Sequence, residues 1–300
     1  MKTKKNTFNV MEKKVSKTVT AKRMLVCGMA IVLSCAVLAE TETLNQEQAA
    51  KVTTVEDSAF SLTTSASFMS KYIWRGQLLN DDYVFQPSAA IGYGNLTASW
   101  WGNVDMTEYH KDAGGNDNQW EFTEHDWTIG YTNTIPGIDL LKYSVGAIYY
   151  YFPSLTDDGD TVEAYAGLGL DVPLSPTVTI YRDIDEGDCT YAAFSVSHSI
   201  ESLFELAPDM PVGMTASASV GWGNKAYNKF YWSGLDDSAL NDLTMSVGFP
   251  IPVMGWTLTP SVNYVTLLDS DVRAADSYRT YSGNNDSDYV FTGISLSRTF

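Results

Sequence analysis

The sequence predicts an all-β chain, specifically a closed, antiparallel, up-and-down transmembrane β-barrel of about twelve strands with both termini on the periplasmic side. Three observations predict it. The last stretch, Tyr289 to Phe300, alternates an apolar set (Val290, Ile294, Leu296, Phe300, interrupted by Thr292 and Arg298) with a mostly small or polar set (Tyr289, Gly293, Ser295, Ser297, Thr299). It ends on an aromatic residue with nothing after it to cover its edge, so its backbone groups are satisfied only if it pairs with the first strand. Similar alternation recurs along the chain, and the connections sort into two classes by strand parity.

The elements follow in order. Eight of the 19 basic residues (Lys2, Lys4, Lys5, Lys13, Lys14, Lys17, Lys22, Arg23) precede an uncharged, largely apolar run from Met24 to Ala39. This reads as a signal peptide cleaved after Val37-Leu38-Ala39. The run has 16 residues, short of the roughly 20 a spanning helix needs. Lipidation at Cys35 is the alternative, although Val32-Leu33-Ser34 fits that signal poorly. Residues 40–57 show no period and are expected to form a mobile periplasmic leader, and residues 58–300 the barrel.

From Phe60 the period-two pattern starts. Phe60, Leu62, Ala66, Phe68, Tyr72 and Trp74 face one way, and Ser61, Thr63, Ser65, Ser67, Lys71 and Arg75 the other. Tyr83 to Tyr93 and Leu96 to Met106 continue it across a Gly94-Asn95 turn of hairpin type. Then come 120–132, 141–151, 162–172, 177–183, 191–200, 214–222, 243–249, 256–266 and the closing strand.

After even-numbered strands the connections are Gly94-Asn95, Ile135-Pro136-Gly137, Pro173 to Pro176, Glu201 to Val212 and Pro250 to Pro252, and they hold seven of the ten prolines. After odd-numbered strands they are acidic and mostly longer. Short turns at one end and long loops at the other are what an outer-membrane barrel shows, whereas a water-soluble sandwich, whose strands also alternate, does not predict that sorting. The Glu201 to Val212 segment is the exception in length, and its Leu203, Phe204 and Leu206 suggest a helical turn at the interface. Trp74, Trp100, Trp127, Tyr131, Trp222, Phe249 and Trp256 sit near strand ends and suit interfacial girdles.

Loss of the signal segment, with its eight basic residues and Glu12, leaves 11 basic against 35 acidic side chains, a formal charge of −24. A chain so acidic does not bind nucleic acid by neutralising phosphates. Cys27 and Cys35 leave with the signal, so Cys189 has no internal disulfide partner.

No catalytic residues, cofactor or metal set are expected. Outer-membrane phospholipases of twelve strands use a His with a Ser two positions on, but here Asp112 follows His110, Trp127 follows His125, and Ile200 follows His198. A triad assembled from distant positions stays open, since triads are recognised by geometry. Asp157-Asp158-Gly159-Asp160 and Asn284-Asn285-Asp286-Ser287-Asp288 invite a calcium reading, but the first lacks the EF-hand pattern. Solvated acidic loops are the expected reading, with weak divalent binding left open.

Strand parity turns Lys71, Arg75, Trp101, Asn103, Asp105, Glu124, Asp126, Glu163, Asp171, Asp183 and Asn263 toward the lumen. Basic groups of the first strand would face acids of the third and fourth. Such pairs either brace the interior or set a field that selects permeating solutes.

Ser70-Lys71-Tyr72-Ile73-Trp74-Arg75-Gly76-Gln77 resembles the Ser-x-Tyr-x-x-Arg-Gly opening of TorF-type porins and related outer-membrane barrels. Gln86-Pro87-Ser88 and Trp101-Gly102-Asn103-Val104-Asp105 continue the likeness over residues 60–107. At the second motif position that family usually carries Asp, where this chain has Lys71. The resemblance implies a porin-like role without a defined substrate.

The expectation is therefore a monomeric, exported outer-membrane channel passing small polar solutes with weak cation preference. Its partners would be outer-membrane lipid and the barrel-assembly machinery, with Phe300 as assembly signal. The alternatives are a non-conducting barrel serving as scaffold or adhesin, and an outer-membrane hydrolase.

Overall fold

The computed structural model describes residues 60–109, 118–153, 160–232, 235–275 and 286–300. The predicted signal segment and leader, Cys35, His110, residues 157–159 of the first acidic run and residues 284–285 of the second lie outside them.

Twelve strands form the wall. They are β1 (Phe60–Met69), β4 (Val84–Tyr93), β5 (Leu96–Asp105), β6 (Phe122–Ile135), β7 (Ile138–Tyr151), β8 (Thr161–Leu170), β9 (Thr177–Asp183), β10 (Thr190–Ala207), β11 (Met210–Gly223), β12 (Ala239–Gly248), β14 (Trp256–Leu267) and β15 (Asp288–Thr299). Each pairs antiparallel with its neighbours, and a short β13 (Ile251–Val253) extends the β14 hairpin. The ring closes through β1 and β15, with Thr63 opposite Thr299 and Met69 opposite Gly293. Even the last residue joins, because the Phe300 and Leu62 backbones exchange hydrogen bonds of 2.8 and 3.2 Å. No open edge remains in the ring, which is the solution the terminal strand requires.

The alternating residues separate as the period-two pattern demands. Phe68, Ile91, Ile129, Val145, Leu168, Ile180, Phe194, Met245, Val262 and Ile294 lie exposed on the outer face. An exposed apolar band that runs round the whole wall suits a bilayer and not water. Aromatics flank it at both ends: Phe122, Trp127, Tyr149 and Trp222 toward the loops, and Phe60, Tyr93, Tyr131 and Phe300 toward the short turns. At the short-turn end Gly94 and Gly137 take φ of 57° and 85°, where glycine carries no Cβ penalty.

Three expectations are corrected. The first strand does not run to Arg75. It leaves the wall after Met69, and the chain turns inward as a separate hairpin, β2 (Tyr72–Trp74) and β3 (Gln77–Asn80). Trp74 accordingly lies inside, fully buried, and belongs to no girdle.

The Glu201 to Val212 segment forms no helical turn. β10 and β11 run on through it, turning at Pro208-Asp209, with register shifts between Ile200 and Phe204 and between Glu205 and Ala207. Those bulges break the two-residue period, which is why the strand was hidden.

Candidate functional site

Eight strands give a barrel whose wall side chains fill it, and sixteen or more leave an aqueous channel, so a twelve-stranded interior needs added content to be closed. The β2–β3 hairpin supplies it. Every residue from Tyr72 to Asn80 is buried, although none is part of the wall. Its two-residue turn is Arg75-Gly76, with φ of 42° and 84°, the positive pair that a tight hairpin of this kind needs. Only glycine fits the second position, since a Cβ on Gly76 would stand 2.7 Å from Leu267 Cδ2 and 2.8 Å from Asp242 Cβ.

Ile73, Leu78 and Leu79 pack with Val84, Ile148, Leu267 and Val272 in one apolar core at the loop end. Two short helices from long loops cover it, α1 (Lys225–Tyr231) and α2 (Ser270–Arg273). Asn224 caps α1 by accepting the Tyr227 N–H at 2.7 Å, and Tyr231 sets its ring 5.4 Å from that of Trp74. Buried Asn228 ties the helix down, donating to the Gly223 and Asp237 carbonyls and accepting from Asn241.

The centre of this plug is a caged cation. The Arg75 guanidinium donates two parallel hydrogen bonds to Glu163, of 2.9 and 2.8 Å. Its carbon lies 4.5 Å from the Trp74 ring centre, 4.6 Å from Tyr181, 4.3 Å from Tyr191 and 6.0 Å from Tyr227. Tyr150 donates to the same Glu163 carboxylate at 2.9 Å, and Tyr191 to Asp242 at 2.9 Å. A bidentate carboxylate and stacked aromatic faces are the two kinds of partner a guanidinium takes best when removed from water.

A second polar cluster spans β4, β5 and β6. Gln86 donates to Asn103 at 3.1 Å, and Asn103 to Asp105 and Thr123 at 3.1 and 2.9 Å. Tyr72 of the hairpin donates to Glu124 at 2.6 Å and sets its ring 5.9 Å from that of Trp101. Asp126 is buried on the same strand. Among the buried described side chains, six are carboxylates (Asp105, Glu124, Asp126, Glu163, Asp183, Asp242) and one is a cation, Arg75.

The residues expected in the lumen thus divide. Arg75, Trp101, Asn103, Asp105, Glu124, Asp126, Glu163, Asp183 and Asn263 are buried inside the barrel. Asp183 serves the β9–β10 loop there, accepting from the backbone N–H groups of Asp185, Glu186 and Gly187 and from Thr161. Asp171 is not with them. It follows the end of β8 and forms an exposed pair with Lys142 at 2.8 Å.

Lys71 is half-buried and pairs with Asp81 across the base of the hairpin. The expected ladder from strand-one bases to acids of the third and fourth strands is therefore replaced. Arg75 reaches Glu163 on β8, because the inward fold of the hairpin carries it across the lumen.

Below the plug the interior changes character. Thr63, Ser65, Ser67, Ser88, Ser144, Ser195, Ser197, Thr215, Ser217, Ser295 and Ser297 line it, with Ser65 and Ser88 hydroxyls 2.6 Å apart and Thr63 and Thr299 2.9 Å apart. All eleven are partly exposed, in contrast to the buried loop end. Tyr165 lies over Gly130 and Gly146, where a Cβ would stand 2.5 Å from its hydroxyl oxygen.

Cys189, just before β10, is buried and directs its thiol to the Ala226 carbonyl of α1 at 3.8 Å. Burial, aided by the Asp183 and Glu163 charges, pushes its pKa up to about 12. His125 lies among Phe122, Trp100 and Tyr151, taking a hydrogen bond from the Trp100 indole at 3.2 Å. Among the described residues no three His, Cys, Asp or Glu side chains are placed to hold a metal ion.

No protein-family model matches the chain, and no curated protein matches it. Among solved structures, the NanC porin aligns over 79% of this chain and 98% of its own at 12% identity and a TM-score of 0.44. The chain is similar to outer-membrane barrels. The KdgM porin, in complex with disordered oligogalacturonate, aligns over 80% and 99% at 8% identity and 0.43. LpxR from Salmonella typhimurium aligns over 79% and 99% at 10% identity and 0.42. At these values the ligands and activities of those proteins stay with them, and the closure of this barrel rests on its own strand pairing.

Proposed function

We propose that the protein is an exported outer-membrane channel for small polar solutes, weakly cation-preferring, whose resting state is closed by its own β2–β3 hairpin. One observation carries this reading: a half-lumen lined by small hydroxyls ends against a buried hairpin that shares no ladder with the wall. A barrel that only needed bracing could fill both halves with large side chains. A hairpin hung from two short connections can instead leave as a unit. The long loops and the hairpin then lie on the outer side, and the short turns and chain end on the periplasmic side. Outer-membrane lipid covers the apolar band, and the closing strand ending in Phe300 is what the barrel-assembly machinery engages. No catalytic role is assigned to His125 or His198.

A non-conducting scaffold is the second reading, favoured by the completeness of burial from Tyr72 to Asn80. Single-channel recording separates the two. The refolded mature chain is compared in planar bilayers with a variant in which residues 72–80 are replaced by a Gly-Ser linker. The channel reading expects rare, brief steps from the intact chain and stable steps from the variant. If the variant refolds as a heat-modifiable barrel and never conducts, the scaffold reading replaces it.

A further inference from the structure

The cage around Arg75 has the composition of a ligand site, and its occupant is the chain itself. Tyr181, Tyr191 and Glu163 belong to the wall, and Tyr227 to α1. Only Trp74 and Arg75 come with the hairpin. Stacked phenol rings and a carboxylate that takes two parallel N–H bonds recognise a planar guanidinium, or less well a compact ammonium, whatever molecule bears it. Asp242, held by the Tyr191 hydroxyl, adds a second negative charge behind the rings.

We propose that this cage is a binding site for solutes bearing a guanidinium or alkylammonium group, occupied in the closed state by Arg75, so that such a solute competes with Arg75 and releases the hairpin. The inference rests on the reading of the hairpin as a movable plug. When the hairpin leaves, the one buried cation among the described residues leaves with it, and six carboxylates remain on the wall. The vacated interior then attracts a cation more strongly than the closed one. Solute and Arg75 bind one place, so the solute shifts the equilibrium only by its preference for the open state.

Chemical rescue tests the site. Arg75→Ala empties the cage, and ethylguanidinium chloride at millimolar concentration is the probe. The expected result is a lower heat-modification midpoint for Arg75→Ala, raised again by ethylguanidinium but not by sodium chloride of equal ionic strength. No such rise is expected in Arg75→Ala/Glu163→Gln. Should Arg75→Ala fail to refold, the linker variant lacking residues 72–80 keeps the three tyrosines and Glu163, and calorimetry on it measures the same binding. Absence of rescue and of binding overturns the site.

Arginine methyl ester added to the intact chain in a bilayer tests the competition. A several-fold rise in the frequency of steps supports it. No rise, where the linker variant does conduct, overturns the competition and leaves the channel standing. Binding by a linker variant that does not conduct supports the cage as a site while the channel reading falls.

Discussion

Arg75 and Glu163 are both out of water, and a pair of this kind is asymmetric in its energetics. Forming it gains little over a well-packed apolar pair, but removing one partner leaves an uncompensated buried charge at a cost of about 3–5 kcal/mol. That asymmetry makes the pair a latch more than a brace, since a hairpin that has lost its counter-charge is better off in water. Cys189 shows the opposite case, a buried group kept neutral. With a folded-state pKa of about 12, it contributes stability that is fully present below the unfolded thiol value of ~8.5 and is lost as pH rises from there toward the folded value. Only the thiolate reacts, so iodoacetamide at pH 8 should modify the native chain at least about a hundredfold more slowly than the urea-unfolded chain. Comparable rates in the two states would mean the thiol is not shielded beneath α1.

At the scale of the element, two glycines in similar backbone conformations separate a turn that only connects from a turn that closes. Gly94, at φ 57° in a wall hairpin, has nothing within 4 Å of where a Cβ would stand. Gly94→Ala should cost only the left-handed penalty of about 1–2 kcal/mol and leave conductance unchanged. Gly76→Ala adds contacts of 2.7 and 2.8 Å with Leu267 and Asp242, and overpacking of that kind costs about 1–3 kcal/mol more. The wall has its own ladder, so the strain should unseat the hairpin while the barrel stays folded. Longer open times for Gly76→Ala, with heat-modifiability retained, are the expected result. Equal conductance from the two variants would separate the turn from gating.

At the scale of the whole molecule, the imbalance of buried charge sets the expected selectivity. The linker variant loses Arg75 and keeps Asp105 and Asp126 on the wall. In water-like screening a carboxylate ~4 Å from a passing ion is worth about 1 kcal/mol, a factor of ~5. Asymmetric-salt recordings should therefore show cation preference in that variant. Asp105→Asn and Asp126→Asn should each lower the permeability ratio by up to about fivefold. A ratio unmoved by both changes would place the selective charges in the loops.

The alternation from Phe60 to Phe300 was enough to determine a strand-built, bilayer-facing wall, its count of twelve, and the sorting of turns from loops. Side-chain direction along a strand is a local property of the backbone, so the sequence carries it directly. Asp105, Glu124, Asp126 and Glu163, which the same parity assigns to the inner face, are buried. Where the chain left the wall was not legible in this way, because Tyr72 and Trp74 continue the period of β1 while belonging to another sheet. Arg75-Gly76 was the available signal, a residue-glycine pair of hairpin type between two short apolar runs. Tertiary structure alone decided that Arg75 meets Glu163, 88 residues on, and not the acids of the third and fourth strands. Which charges meet across a lumen depends on how far a hairpin reaches into a space whose width only the closed ring defines.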